Sequence, residues 1–118
     1  EDDKVWFSYA RPYTYSKLLQ FLKGLTIEDN GTKIVDFGSL CHSLSGIEVP
    51  LLTITDFDTP KATQKQYAIV TARVHPGETS GSFMMQGFLK FITGSSAAAK
   101  SLRQTCIFKV VPMINPDG

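Results

Sequence analysis

Residues 67–79 read YAIVTARVHPGET, and they join the most strand-like run of the chain to its best helix. The first eight residues, from Tyr67 to Val74, are nearly continuously apolar, which is typical of a strand covered on both faces of a sheet. Beyond Pro76-Gly77, residues 82–92 have so little polar face that they predict a buried helix, with Thr79 or Ser80 as its N-cap. A strand that leads into a helix is the repeating unit of layered α/β folds.

His75 and Glu78 stand on either side of Pro76-Gly77, a pair that suits the middle of a type II turn. In that turn Gly77 would have a positive φ, and the Cα atoms of the first and fourth residues would lie within about 7 Å. The spacing therefore brings an imidazole and a carboxylate together at the end of a strand. These are ligand types of catalytic zinc, which keeps one further position for water. The H-x-x-E pattern thus predicts half of a zinc site.

The remaining elements follow from periodicity and turn residues. A helix over 17–22 is expected after Thr14 or Ser16 as N-cap, and Asn30-Gly31 marks a turn. The other predictions are strands over 33–40 and 47–55, a surface loop over 56–66, a helix over 97–104 and a strand over 106–111. The two early strands are joined by a short turn and should be antiparallel, whereas the later strand–helix–strand unit favours a parallel pair. The sequence therefore predicts a mixed sheet flanked by helices.

Composition narrows the class of protein. With 118 residues, 42% of them hydrophobic and 19% charged, the chain is globular and forms one domain at most. A net charge of +1 with scattered Lys and Arg argues against nucleic acid as a partner, and no apolar run reaches the roughly 18 residues of a membrane span. Cys41 and Cys106 are expected to be buried, reduced thiols, which weakly favours an intracellular setting. The aromatic residues within 5–13 are expected to pack on the core.

The residues of this chain do not complete the zinc site. The other histidine, His42, is best interpreted as a turn residue, and no feature singles out an aspartate among the possible oxygen donors Asp36, Asp56 and Asp58. Arg73 could contact an anionic substrate or pair with a nearby carboxylate, and its position two residues before His75 would place both on one strand face. The chain therefore supplies two zinc ligands, His75 and Glu78.

Several stretches together resemble a known family. They are VHPGET (74–79), FKVVPMINPDG (108–118), FSY (7–9) with PYTY (12–15), LCHSLSG (40–46) and PLLTIT (50–55). Taken in their order along the chain, they resemble the zinc metallocarboxypeptidases, and most of all the cytosolic carboxypeptidases, the tubulin deglutamylases. The likeness covers nearly the whole chain, which makes it far more specific than H-x-x-E alone.

The resemblance implies a three-layer α/β/α catalytic domain with a mixed sheet, of which residues 1–118 would be the N-terminal portion. It implies one zinc ion held by His75, Glu78 and a histidine beyond residue 118, together with a catalytic glutamate and substrate-binding arginine that also lie further on. The parent protein would be cytoplasmic and would remove C-terminal glutamate from peptides or polyglutamylated proteins such as tubulin, whereas this chain alone would be inactive. Two alternatives stay open: an aspartoacylase-type zinc deacylase, and a non-catalytic interaction module. The oligomeric state is not specified.

Overall fold

A computed structural model describes residues 3–59 and 64–118 of the chain. The first of its helices, α1, is followed by a small hairpin and then by a four-stranded sheet whose last two strands are separated by two further helices. The elements are α1 Tyr15–Lys23, β1 Glu28–Asp29, β2 Thr32–Lys33, β3 Val35–His42, β4 Glu48–Ile54, β5 Gln66–Thr71, α2 Ser80–Ile92, α3 Ala97–Thr105 and β6 Cys106–Val111. The predicted order agrees with the structure for the three helices and the strands β3 to β6, whereas the short strands β1 and β2 were not predicted. Residues 60–63 of the loop expected over 56–66 lie outside the described residues.

Local sequence signals account for several element ends. The Thr14 hydroxyl accepts a hydrogen bond from the Lys17 N–H at 3.1 Å and so caps α1, and Ser96 caps α3 in the same way through Ala99 N–H at 3.2 Å. Asn30 and Gly31 have φ values of 52° and 81°, and they form the two-residue turn between β1 and β2. Two successive positive φ values are the geometry of a type I′ hairpin turn, which explains the Asn-Gly pair.

The main sheet has the strand order β3-β4-β6-β5. Strands β3 and β4 are antiparallel, as expected, and so are β4 and β6, whereas β5 and β6 run parallel in a register from Gln66 beside Cys106 to Thr71 beside Val111. Both α2 and α3 lie between these parallel strands in the chain. The mixed sheet that the sequence predicts is therefore confirmed, and the C-terminal ends of β5 and β6 lie side by side.

One face of the sheet carries the core. Side chains of β4 and β6 on this face pack against the apolar faces of α1 and α2, and most of the cluster is fully buried. Each such Leu or Ile stabilises the fold by about 1.5–3 kcal/mol relative to an exposed side chain. The central members are Leu18, Leu22, Leu52, Ile54, Met85, Leu89, Ile92 and Val110.

The opposite face of the sheet is open in the described part of the chain. Tyr67 and Ile69 point to it from β5 and are 70% and 77% exposed. Among the described strands, β5 pairs only with β6 and is therefore an outer strand. The prediction that β5 is covered on both faces is thus wrong for this chain. An apolar run shows that burial of a strand would be favourable, but it does not show that another element covers the strand. The described residues contribute the sheet and one helical layer of the expected three layers.

Three smaller expectations are also corrected. Helix α2 is not buried all round, since Met84 is 76% exposed on the side away from Met85 and Leu89. Cys41 is an exposed free thiol on β3, and only Cys106 is partly buried. Tyr13 packs in the core, whereas the aromatic residues before it, Trp6, Phe7 and Tyr9, are almost fully exposed. In each case the side chain is apolar, but no described element covers it.

None of the described helices has both the length and the apolar character needed to cross a bilayer.

Candidate metal centre

The site begins where β5 ends. Pairing with the β6 segment continues beyond Thr71, because Ala72 N–H donates to the Val111 carbonyl at 3.1 Å and Ile114 N–H donates to the Ala72 carbonyl at 2.9 Å. At Arg73 the backbone turns into the left-handed region, with φ at 56°, and the strand stops. The prediction that Arg73 and His75 lie on one strand face is therefore wrong. The following turn lies at the carboxyl ends of the parallel strands, where open α/β sheets bind their ligands.

Residues 75–78 form a closed β-turn. Glu78 N–H donates to the His75 carbonyl at 3.2 Å, and Thr79 N–H donates to the Gly77 carbonyl at 3.0 Å as the chain enters α2. The φ of Gly77 is not positive, so the type II turn predicted from Pro-Gly is wrong. A turn of the type I kind accepts Pro at its second position and does not require Gly at its third. The positive φ is adopted by Arg73, four residues before Gly77, where it was expected.

His75 and Glu78 present their side chains to solvent from this turn. Among the described residues, neither the imidazole nor the carboxylate takes part in a hydrogen bond or an ion pair. The first and fourth Cα atoms of a β-turn lie within about 7 Å, so the turn keeps the His75 and Glu78 backbones close to each other. Imidazole nitrogen and carboxylate oxygen are both common zinc ligands, and neither group has a competing partner within residues 3–59 and 64–118. The residues present therefore fit two positions of a zinc site.

No described residue forms a third ligand beside this pair. His42 is exposed at the end of β3, Asp36 is paired with Lys33 at 2.5 Å, and Asp56 accepts hydrogen bonds from the amides of Asp58 and Thr59. Within residues 3–59 and 64–118, no three His, Cys, Asp or Glu side chains are grouped so that they could hold a metal ion.

Arg73 contacts neutral acceptors around the turn. Its guanidinium donates to the carbonyls of Pro76 and Tyr13, at 2.8 Å and 3.1 Å, and to the Ser82 hydroxyl at 3.0 Å. No ion pair joins Arg73 to a carboxylate in the described part of the chain. The carboxylate pairing considered from the sequence is therefore not what the side chain does here.

Two residues near the end of the chain brace the same turn, and sequence reasoning missed them. The Asn115 side chain donates to the Val74 carbonyl at 3.1 Å and accepts from Gly118 N–H at 3.1 Å. A Cβ on Gly118 would lie only 2.7 Å from the Pro76 ring, so this close approach requires glycine. The signal was present in Asn115-Pro116-Asp117-Gly118, because Asn and Asp side chains commonly bond to nearby backbone. The pattern gave no indication that their partner would be the His75–Glu78 turn.

Asp117 extends this network to the turn between β3 and β4. Its carboxylate accepts from the Ser43 hydroxyl at 2.6 Å and from Ser45 N–H at 3.2 Å. The hydrogen bond from Ser43 lowers the pKa of the Asp117 carboxyl, and the bonds from the Ser45 backbone act in the same direction. The β3–β4 turn, the Asn115–Gly118 segment and the His75–Glu78 turn are therefore one hydrogen-bonded unit.

Tyr13, whose carbonyl accepts from Arg73, is held beside the site by packing and by its hydroxyl. The ring meets Phe83 edge to face with the centroids 5.2 Å apart, and the hydroxyl accepts from the Gln86 amide at 2.7 Å. Burial raises the pKa of the Tyr13 hydroxyl, while the Gln86 hydrogen bond and the nearby Arg73 charge oppose that shift. The segment before α1 thus contacts the Arg73 side chain through the Tyr13 carbonyl.

Comparisons with known families and proteins all identify carboxypeptidases as similar proteins. The zinc carboxypeptidase family model, Peptidase_M14, matches residues 18–118. The chain is 49% identical to cytosolic carboxypeptidase 2 of Xenopus tropicalis over 120 aligned residues, which is 100% of this chain and 12% of that protein. It is 46% identical to cytosolic carboxypeptidase 3 of Mus musculus, over 98% of this chain and 12% of that protein. The chain thus spans about an eighth of the length of these curated relatives.

Solved structures show the same relationship in three dimensions. A putative carboxypeptidase A from Shewanella denitrificans superposes with a TM-score of 0.77 and 29% identity, covering 91% of this chain and 27% of that one. A metallo-carboxypeptidase from Burkholderia cenocepacia also gives a TM-score of 0.77, at 27% identity, over 91% of this chain and 28% of that one. The sheet with its helices, and not only the H-x-x-E turn, is therefore shared with these proteins.

Proposed function

The chain belongs to the zinc carboxypeptidase family, and from this membership we propose that the whole protein is a zinc-dependent carboxypeptidase. Residues 1–118 would be the N-terminal portion of its catalytic domain. The observation that carries the proposal is the His75–Glu78 turn at the carboxyl ends of parallel strands, where two zinc-type ligands have no other partner in the described part of the chain. Since the chain spans about 12% of its first relatives, the activity is proposed for the whole protein and not for these residues alone.

We assign His75 and Glu78 as two of the protein ligands of one zinc ion. The third ligand would come from beyond residue 118, a placement favoured by the lack of a third donor beside them among the described residues. Bound zinc would supply an acidified water and polarise the scissile carbonyl. His75 would offer a nitrogen lone pair, and the Glu78 carboxylate would offset part of the charge of the cation. The hydrogen bonds around Pro76 and Val74 would hold both side chains in place.

The substrate proposed is the C-terminus of a peptide or protein, with glutamate as the residue released and polyglutamylated tubulin as a candidate. The support for this choice is the resemblance of five sequence stretches to the tubulin deglutamylases and the match to proteins named cytosolic carboxypeptidases. The same names support a cytoplasmic location. The chain carries a net charge of only +1, so a general attraction to acidic chains is not expected from these residues, and selectivity would arise elsewhere in the site.

The reaction class is tested by offering the whole protein two substrates. One is a peptide that ends in several glutamates, and the other is N-acetylaspartate, the type of substrate that a zinc deacylase would hydrolyse. Zinc-dependent release of free glutamate, with N-acetylaspartate left intact, supports the proposal. Hydrolysis of N-acetylaspartate alone would replace it with the deacylase alternative, and hydrolysis of neither by a zinc-loaded protein would favour a binding module.

A further inference from the structure

The backbone at Arg73 is held in a conformation that an arginine rarely adopts. Its φ of 56° lies in the left-handed region, where a non-glycine residue persists only if its surroundings fix it. The fixing contacts are on both sides of the chain. The Arg73 carbonyl accepts from Asn115 N–H at 3.1 Å, and the side chain is anchored at three further points. This local conformation is what redirects the chain from β5 into the His75–Glu78 turn.

The guanidinium joins three separate parts of the fold. One terminal nitrogen donates both to the Tyr13 carbonyl, before α1, and to the Ser82 hydroxyl, in the first turn of α2, while the other donates to Pro76. The Pro76 carbonyl lies inside the turn, between the two proposed ligands. Proline has no N–H, so the carbonyl is the one backbone hydrogen-bonding group that Pro76 itself offers. A planar fork of fixed donors suits this task, whereas a lysine ammonium is a single point that cannot reach all three acceptors.

The positive charge of Arg73 would not by itself favour zinc binding at the turn. A guanidinium beside a dication repels it, and Arg73 has no carboxylate partner in the described part of the chain to offset that repulsion. What the side chain contributes to the turn is therefore hydrogen-bond geometry.

We infer that Arg73 is a positioning residue for the metal site: its guanidinium fixes the Pro76 peptide and thereby sets the placement of His75 and Glu78 for zinc. This inference rests on the proposed function, because it presupposes that the turn binds zinc. Partners that orient metal ligands typically change metal affinity by about 10–100-fold when they are removed.

The test compares conservative variants of the whole protein. Arg73→Lys keeps the positive charge but loses the planar guanidinium. It should raise the zinc dissociation constant by about 10–100-fold, measured in competition with a chelator. The matched control is Arg11→Lys, the same change at an exposed arginine that lies 5.6 Å from the Phe83 ring and does not touch the turn. Its zinc affinity should equal that of the wild type. Ser82→Ala removes one acceptor of Arg73 and should give a smaller loss in the same direction.

A second readout separates positioning from stability. With Co²⁺ in place of zinc, the visible absorption of Arg73→Lys at saturating metal should differ from that of the wild type and of Arg11→Lys, since the spectrum reports ligand geometry. A change that only lowered the unfolding temperature would leave both the affinity and the spectrum unchanged under native conditions. If Arg73→Lys does not fold, the zinc affinity and the Co²⁺ spectrum of Ser82→Ala test the inference instead.

The inference is overturned if the wild type binds one zinc tightly and Arg73→Lys matches Arg11→Lys in affinity and spectrum. A folded Ser82→Ala variant that is identical to the wild type, when Arg73→Lys is unfolded, overturns it equally. A wild-type protein that binds no stoichiometric zinc is a different result, because it removes the proposed function on which the inference depends.

Discussion

The buried cation Arg103 should make a large and local contribution to stability. Its side chain is 2% exposed and is surrounded by three oxygens: the carbonyls of Ile92 and Gly94, at 2.7 Å and 2.8 Å, and the Asp29 carboxylate at 2.6 Å. These contacts tie α3 to the end of α2 and to the β1–β2 hairpin. The perturbation is Asp29→Ala, which removes the only anion that pairs with Arg103 among the described residues.

The expected cost follows from the burial of the two partners. Removing one member of a fully buried ion pair costs roughly 3–5 kcal/mol, because the other charge is left without compensation. Arg103 keeps both carbonyl bonds, and the Asp29 side chain is 14% exposed, so water can reach the vacated position. The loss should then approach that of a single hydrogen bond to a charged group, and we expect about 2 kcal/mol of unfolding free energy.

The assay is urea unfolding of the whole protein, with the midpoint and slope measured for each variant. The matched control is Asp36→Ala, which breaks the Lys33–Asp36 pair whose side chains are 56% and 55% exposed. An exposed pair of this kind contributes about 0–1 kcal/mol, so the control should lie close to the wild type. If Asp29→Ala and Asp36→Ala are equally stable, the reasoning from burial is refuted.

Three further predictions concern the site and a helix cap. Replacing Asn115 by Ala removes both of its side-chain bonds and should weaken zinc binding several-fold in a chelator competition, with Asp at this position giving an intermediate value. The pKa of Asp117 is lowered below its usual 3.8, so its bonds to the β3–β4 turn stabilise the fold at neutral pH and lose that effect as the pH falls through the lowered pKa. Asp117→Asn should therefore unfold at lower urea than the wild type at pH 7, with the gap closing at strongly acidic pH; a constant gap would contradict this. Thr14→Ala should cost about 1 kcal/mol in urea unfolding, whereas Thr79→Ala, at a cap without a side-chain hydrogen bond, should cost less.

The order of elements could be predicted because each carries a local signal. Thr14 and Ser96 cap helices through their own hydroxyls, Asn30-Gly31 makes a hairpin turn, and the run from Cys106 to Val111 forms β6 over the predicted residues. These signals act over a few residues, so the elements that they specify can be predicted without knowledge of the rest of the fold.

The errors arose where a property depends on distant parts of the chain. Tyr67 and Ile69 are apolar but exposed, because burial requires a covering element and the described residues place helices on the other face. The Pro-Gly pair predicts a positive φ at Gly77, but Arg73 adopts it instead. The observed backbone is fixed by hydrogen bonds from Asn115 and from the Arg73 side chain. Pro-Gly spacing alone carries no information about such partners.

The site was predictable in its donors and not in its supports. His75 and Glu78 follow from spacing and from the resemblance to a family, and their role as zinc ligands remains a prediction. The supporting contacts of Arg73 and Asn115 join residues up to 60 positions apart, and no short motif specifies them.

The central claim is that the His75–Glu78 turn binds a catalytic zinc ion, and the most direct test is the zinc content of the whole protein and its variants. The account predicts one zinc per chain in the wild type and in His42→Ala, which changes an exposed histidine outside the turn. His75→Ala and Glu78→Ala should each weaken zinc binding by more than about a hundredfold and abolish peptidase activity at limiting metal. Full zinc occupancy and unchanged peptidase activity in His75→Ala would contradict the account.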